Sequence, residues 1–177
     1  MQYAGRLGRL HNLEVLLGAA QLLQNEPVLF QLIGDGAKRA TLRAQAQRLG
    51  LTNVQFLPYQ PYPDVSAVVA AAHLAVVCLD ARCTGVSVPS KSYGIMAQRR
   101  PILALLDPAS EIGRMVGEHA CGIVLSEATG AQVAAAIREL LADPVQAIAM
   151  GERGFHALQQ QYTLALALKR YTDFIEQ

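Results

Sequence analysis

Six short apolar runs, each followed by a segment of helical spacing, constrain this chain more than any other feature. The runs are Tyr3 to Gly5, Val28 to Ile33, Val54 to Leu57, Leu74 to Leu79, Ile102 to Leu106 and Gly122 to Leu125. Leu74-Ala75-Val76-Val77-Cys78-Leu79 is apolar at every position, so it offers no face to solvent. A strand of that kind is buried on both sides, as in a parallel sheet with helices over both faces. Between the runs, Leu13, Leu16, Leu17, Ala20 and Leu23 recur at helical spacing behind Asn12. Ala37 to Leu49 is a basic, polar-faced helix that Gly50 ends. Further helices follow Asp64, Ser90, Ser110 and Thr129 or Gly130, and Asn12, Asp64, Ser90 and Ser110 read as their N-caps. Asp143-Pro144 breaks the pattern, and two last helices cover Val145 to Gln161 and Thr163 to Glu176. The alternation predicts an α/β fold: a doubly wound, Rossmann-like parallel sheet of about six strands with right-handed crossovers and C-terminal helices.

Composition narrows the partners. The net charge of +1 argues against a surface that tracks nucleic-acid phosphates. No run of about 18 apolar residues exists, so no membrane span is expected, and the N-terminal residues lack the pattern of a signal peptide. Cys78, Cys83 and Cys121 are odd in number and lack metal-ligand spacing, which suits reduced thiols. Cys78 lies inside an apolar run and reads as a small core residue. A chain of 177 residues is enough for one domain.

In doubly wound sheets, ligands bind beyond the carboxyl ends of the strands. The loops there are Gly5 to Asn12, Gly34 to Gly36, Leu57 to Gln60, Asp80 to Pro89 and Asp107 to Ser110. The stretch Gly85-Val86-Ser87-Val88-Pro89-Ser90-Lys91-Ser92-Tyr93 leaves one strand and enters a helix at Ser90. Lys91 adds a full positive charge at that helix start, which suits a diphosphate. The plainer reading is an ordinary connection capped by Ser90. Gly5-Arg6-Leu7-Gly8-Arg9 pairs glycines, which let a backbone approach phosphate, with two guanidinium groups, which grip it. It also reads as a solvated turn. Gly34-Asp35-Gly36 is a tight turn in which Asp35 bonds the following backbone. Tyr59 either faces a flat ring or covers the sheet end. Glu111 suits the first turn of its helix through the dipole and is also a candidate for ribose hydroxyls. No nucleophile elbow and no acidic metal cluster are present in the sequence.

Taken together, these stretches resemble the C-terminal, donor-binding half of a group 1 retaining glycosyltransferase of the GT-B fold. Tyr3-Ala4-Gly5-Arg6-Leu7 resembles the opening strand and phosphate arginine. Leu32-Ile33-Gly34-Asp35-Gly36 resembles the Gly-Asp-Gly turn, and Val54-Gln55-Phe56-Leu57-Pro58 the strand whose end meets the nucleobase. Pro89-Ser90-Lys91-Ser92-Tyr93-Gly94-Ile95-Met96-Ala97 with Arg100-Pro101 is similar to the Pro-Ser-Lys branch, whose members build lipopolysaccharide, exopolysaccharide and capsule. Ala167-Leu168-Lys169-Arg170-Tyr171 resembles the helix that crosses back toward the N-terminal domain.

The resemblance implies a single nucleotide-sugar-binding domain over residues 1–177, with the N-terminal acceptor domain absent. It implies retaining transfer from a nucleotide diphosphate sugar, UDP foremost, to a saccharide or lipid-linked acceptor held by the missing half, so that this piece alone is inactive. Arg6 and Lys91 are then the catalytic cations. Gly5, Gly8, Gly34, Asp35, Gly36, Leu57, Pro58, Tyr59, Ser90, Tyr93 and Glu111 are the expected substrate contacts, with no metal and no cofactor. A cytoplasmic location is implied, with a peripheral place at the inner membrane open to the full-length form. The family's paired glutamates align with Val86 and Gly94, and its lysine after the Gly-Arg turn is missing. His11 and Arg9 lie nearest that position, and Lys91 is its candidate substitute. Two other readings stand beside this one: a donor-binding subunit of a two-chain transferase, and a nucleotide-binding regulatory domain without catalysis.

Overall fold

A computed structural model describes residues 1–176. Strands β1 (Gln2–Ala4), β2 (Phe30–Ile33), β3 (Val54–Leu57), β4 (Ala75–Cys78), β5 (Ile102–Leu105) and β6 (Gly122–Leu125) form one all-parallel sheet in the order β3-β2-β1-β4-β5-β6. The order reverses between β1 and β4, which places the switch-point crevice over that seam. The seam is narrow. β1 meets β4 through one register pair, Gln2 with Ala75, whereas β4 and β5 align four.

Side chains alternate across this sheet with the period of a strand. Val76, Cys78, Leu103 and Leu105 point into one core, and Ala75, Val77, Ile102 and Ala104 into the other. The first core is closed by α1 (Glu14–Leu22), α2 (Arg39–Arg48) and α6 (Gly130–Ala142). The second is closed by α3 (Val65–Ala70), α4 (Lys91–Ala97), α5 (Glu111–Glu118) and the second half of α7 (Pro144–Gln161). Helices α1 and α6, which follow the central strand and the last one, pack against each other. Gly18 and Gly130 set their spacing, since a Cβ on Gly130 would lie 2.8 Å from the Gly18 carbonyl carbon. The last helix, α8 (Leu164–Ile175), buries none of its residues. Leu164, Leu168, Tyr171 and Ile175 form an exposed apolar stripe along it.

The expected caps divide. Ser110 accepts the Gly113 N–H at 3.1 Å; Thr129, expected only as one of two possible helix starts, closes a capping box with Gln132. Asn12, Asp64 and Ser90 do not cap. The residue before α1 is Leu13, already helical, and Asn12 is exposed. Asp64 ends a short 3₁₀ turn, Tyr62–Asp64, that runs straight into α3. Ser90 has φ −60° and ψ −18°, and its side chain makes no cap bond. Capping needs an extended residue whose side chain turns back on the first amides. These positions have joined the helix instead.

Candidate functional site

The β1–α1 loop is fixed from beneath by the Gly34-Asp35-Gly36 turn. Gly5 N–H donates to the Ile33 carbonyl at 2.9 Å, and Leu7 N–H donates to that of Asp35 at 2.8 Å. Lys38 N–H closes the clamp on the Leu7 carbonyl at 2.9 Å. The Asp35 carboxylate accepts the Gly36 N–H at 2.7 Å, and Gly34 N–H donates to the Leu57 carbonyl at 3.0 Å. These groups are therefore spent on shaping the loop. Gly34 lies so close to it that a Cβ there would sit 2.0 Å from the Gly5 oxygen. Tyr59 borders the same turn, half exposed, and its hydroxyl is 3.4 Å from the Asp35 carbonyl oxygen. Pro58 beside it is exposed.

Lys91 crosses the seam into this loop. Rather than standing free at the start of α4, its side chain folds inward, and Nζ lies 3.8 Å from the centroid of the Tyr3 ring. Nζ is buried and has no hydrogen-bond partner. A Cβ on Gly5 would meet it at 2.9 Å, so only a glycine there lets amine and backbone come this close. Burial pulls the Lys91 amine down to about 8, with the neighbouring Cys78 thiol acting weakly the other way. An ammonium without partner in a desolvated pocket is costly, and an anion relieves that cost.

The remaining cations divide by role. The Arg6 guanidinium is exposed and makes no ion pair among the described residues. Of His11 and Arg9, the two residues nearest the position of the family's missing lysine, His11 stands beside Tyr3 with ring centroids 6.1 Å apart. Burial, with Lys91 adding to it, pushes its imidazole below the ordinary range, so it brings no charge at neutral pH. Lys38, not a candidate on residue pattern, reaches the same corner from the position just before α2. Its amine is committed to the His11 carbonyl and the Glu14 carboxylate, each at 2.9 Å. Lys91 is thus the buried cation left unsatisfied beside the loop.

A cleft of about 410 Å³ opens beyond the ends of β4, β5 and β6, lined by Arg9, Lys38, Asp80, Arg82, Asp107 and Glu127 among others. Arg6, Lys91 and Tyr59 do not line it. Asp80 and Arg82 pair there through two bonds of 2.9 and 2.7 Å, which holds the Asp80 carboxyl well below the usual range. Tyr93 and Glu111 lie elsewhere again. The Tyr93 ring packs on Tyr162 with centroids 5.7 Å apart, and the Tyr162 hydroxyl is 3.1 Å from His119 Nε2. Burial raises Tyr93, with Glu111 and Tyr162 adding to the rise. Ser90 is exposed beside Lys91, and Gly8 packs against His11. The structure therefore joins Gly5, Gly34, Asp35, Gly36, Tyr59 and Lys91 around one loop, and sets Tyr93 in an aromatic cluster with Tyr162 and His119. Tyr3 is the neighbour that sequence reasoning took only for a strand residue.

The family model for glycosyl transferases group 1 matches residues 1–157. The chain belongs to this family. It is 30% identical over 170 residues to Probable glycosyltransferase WbjE of Pseudomonas aeruginosa, covering 96% of this chain and 42% of that protein. The chain thus spans less than half the length of this relative. Among solved structures, it superimposes on Anabaena Alr3699/HepE in complex with UDP with a TM-score of 0.84 at 17% identity, covering 99% of this chain and 48% of that one. The C-terminal domain of the group 1 family protein LpcC from Francisella tularensis gives 0.77 at 14% identity, covering 92% of this chain and 85% of that domain. The fold is that of the family's C-terminal domain, and no described helix is long and apolar enough to cross a membrane.

Proposed function

We propose that this chain is the donor-binding domain of a retaining group 1 glycosyltransferase and holds the diphosphate of a UDP-sugar between Arg6 and Lys91. The observation that carries the reading is the buried, unpartnered Lys91 amine against Gly5 at the switch point. The neighbour solved with UDP, and a second HepE complex with UDP-glucose, support the choice of nucleotide. In the reaction, the bond between the anomeric carbon and the diphosphate oxygen breaks, and its electron pair stays on the leaving diphosphate. An acceptor hydroxyl bonds to that carbon on the face the diphosphate leaves, and gives up its proton to the leaving diphosphate oxygen. Negative charge grows on the leaving oxygen, so a fixed cation stabilises the transition state more than the ground state. One such donor is worth about 3 kcal/mol. The acceptor and the rest of the site belong to the half that longer relatives carry. The exposed stripe on α8 is the surface that this half would cover. Three free cysteines support a reducing, cytoplasmic setting.

Calorimetry with UDP, GDP and ADP tests the reading. The isolated chain is expected to bind UDP and to transfer no sugar. Silence from all three at millimolar concentration would remove the donor-domain reading, and turnover by the chain alone would remove the need for a second half. A double-mutant cycle tests the shared ligand. Arg6→Ala and Lys91→Ala are expected to couple by about 1 kcal/mol in UDP affinity, as residues on one partner do. Additive losses in four equally stable proteins would assign the two cations to separate sites.

A further inference from the structure

Tyr3 is fully buried in β1, with two strands on one side of it and three on the other, yet its ring and its hydroxyl both reach groups at the crevice. Its ring lies under the Lys91 ammonium at 3.8 Å from nitrogen to centroid, well within cation–π range. Its hydroxyl donates to the Arg6 backbone carbonyl at 2.7 Å. One side chain therefore touches both elements that carry the crevice cations, from opposite sides of the seam.

We propose that Tyr3 is a positioning residue for the anion site, its ring seating the Lys91 ammonium and its hydroxyl tethering the loop that carries the Arg6 guanidinium. The proposal rests on the reading of Lys91 and Arg6 as diphosphate cations. The ring face is a soft seat: it supports positive charge without using any of the ammonium's hydrogen-bond donors. All three N–H bonds stay free for phosphate oxygens, which a carboxylate partner would have prevented. The hydroxyl does a different job. The Arg6 side chain is exposed and unpaired among the described residues, so its reach is set by its backbone, and the bond to its carbonyl fixes that backbone.

The two contributions separate by substitution. Tyr3→Phe keeps the ring and deletes the tether. Tyr3→Leu deletes both and keeps an apolar side chain in the core. UDP affinity is measured by calorimetry from pH 7 to 9.5 for both variants, for wild type and for Lys91→Ala, beside thermal melts. The groups facing Lys91 leave this window to it. Burial raises the Tyr3 hydroxyl far above its usual range, burial pushes the Cys78 thiol up to about 12, and His11 is pushed down. Tyr3→Phe is expected to weaken UDP roughly fivefold, the worth of one hydrogen bond, with the pH midpoint of binding unchanged. That loss should vanish in an Arg6→Ala background. Tyr3→Leu is expected to weaken UDP roughly thirtyfold and to move the midpoint to lower pH, because the ammonium loses its seat. A purely structural tyrosine would change the melting temperature and leave the midpoint in place.

The outcomes are distinct. Wild type that fails to bind UDP, or Lys91→Ala that binds as well as wild type, would overturn the underlying reading. Normal loss in Lys91→Ala with wild-type affinity and midpoint in Tyr3→Leu would overturn the role of Tyr3 alone. If Tyr3→Leu does not fold, Tyr3→Phe decides. Its loss must disappear with Arg6 removed, and a loss that persists there would defeat the proposal.

Discussion

Lys91→Met is expected to make the protein more stable while costing it at least about thirtyfold in UDP affinity. The amine is buried, unpartnered and pulled from 10.5 to about 8 by desolvation. A shift of that size corresponds to roughly 3 kcal/mol of cost for carrying the charge at neutral pH. Methionine has a similar unbranched shape and makes its own favourable contact with an aromatic ring, which offsets part of the lost cation–π attraction. A net gain of about 1–2 kcal/mol should raise the melting temperature by about 4 °C in a domain of this size. The sign with pH follows from proton counting. Lys91 is a base with a depressed folded pKa, so the unfolded chain binds more protons between about pH 8 and 10.5. Wild-type stability therefore gains from this residue as pH rises through that window, and the advantage of Lys91→Met should shrink accordingly. The affinity loss follows from removing one charge of a desolvated pair, about 2–5 kcal/mol. Melts at pH 7 and 10 with UDP titrations at pH 7 check both halves. A less stable variant that still binds UDP would show that the amine is a structural group satisfied within the fold.

Gly34→Ala is expected to lower stability by about 4 kcal/mol and the melting temperature by about 10 °C, and to weaken UDP at least tenfold. Gly34 has φ +130°, where an L side chain is strained. Its added Cβ would fall 2.0 Å from the Gly5 oxygen and 2.9 Å from the Gly5 carbonyl carbon, and a backbone cannot swing aside as a side chain can. Relief requires the loop to lift, which breaks the 2.9 Å bond from Gly5 to Ile33 and withdraws Gly5 from the Lys91 amine. Gly94→Ala is the control. It lies on α4 with ordinary φ and nothing within 4 Å of its Cβ, so helix propensity alone should stabilise it by up to about 1 kcal/mol. Thermal melts of the two variants distinguish them directly. Equal, small shifts would mean that the turn does not press on the loop as the geometry requires.

The sheet was readable because burial writes a simple pattern. Leu74 to Leu79 has no polar face, and the structure uses both of its faces, Val76 and Cys78 in one core and Ala75, Val77 and Leu79 in the other. Caps were readable only where the backbone stayed extended. Ser110, with ψ 161°, bonds its helix, whereas Asn12, Asp64 and Ser90 precede residues or occupy angles already helical and do not. Residue type could not reveal that difference, because the turn before each helix decides it. The site divided similarly. Arg6 and Lys91, the cations of the proposed site, were picked out by loop position and charge. That Lys91 would fold inward over Tyr3 depends on packing across the β1–β4 seam, between residues 88 positions apart, for which local spacing carries no signal. In the Gly34-Asp35-Gly36 turn the Asp35 carboxylate bonds the following amide as residue type suggested, while the bond from Leu7 N–H to the Asp35 carbonyl, which ties the turn to the neighbouring loop, had no local signal.

The single register pair between β1 and β4 divides the sheet into two three-stranded ribbons, stitched by few backbone bonds and, over one face, by the α1–α6 stack. Such a line is where a domain opens locally at less cost than unfolding outright. Arg6 and Gly5 stand on one ribbon and Lys91 on the other. If the proposed site grips a diphosphate from both sides, the ligand is a rivet through this narrow joint, and its binding free energy adds to the cohesion of the domain. Loading would stiffen the floor of the crevice just when a partner half must close on it. The empty domain, with its two ribbons less firmly joined, would present that half with a more yielding surface.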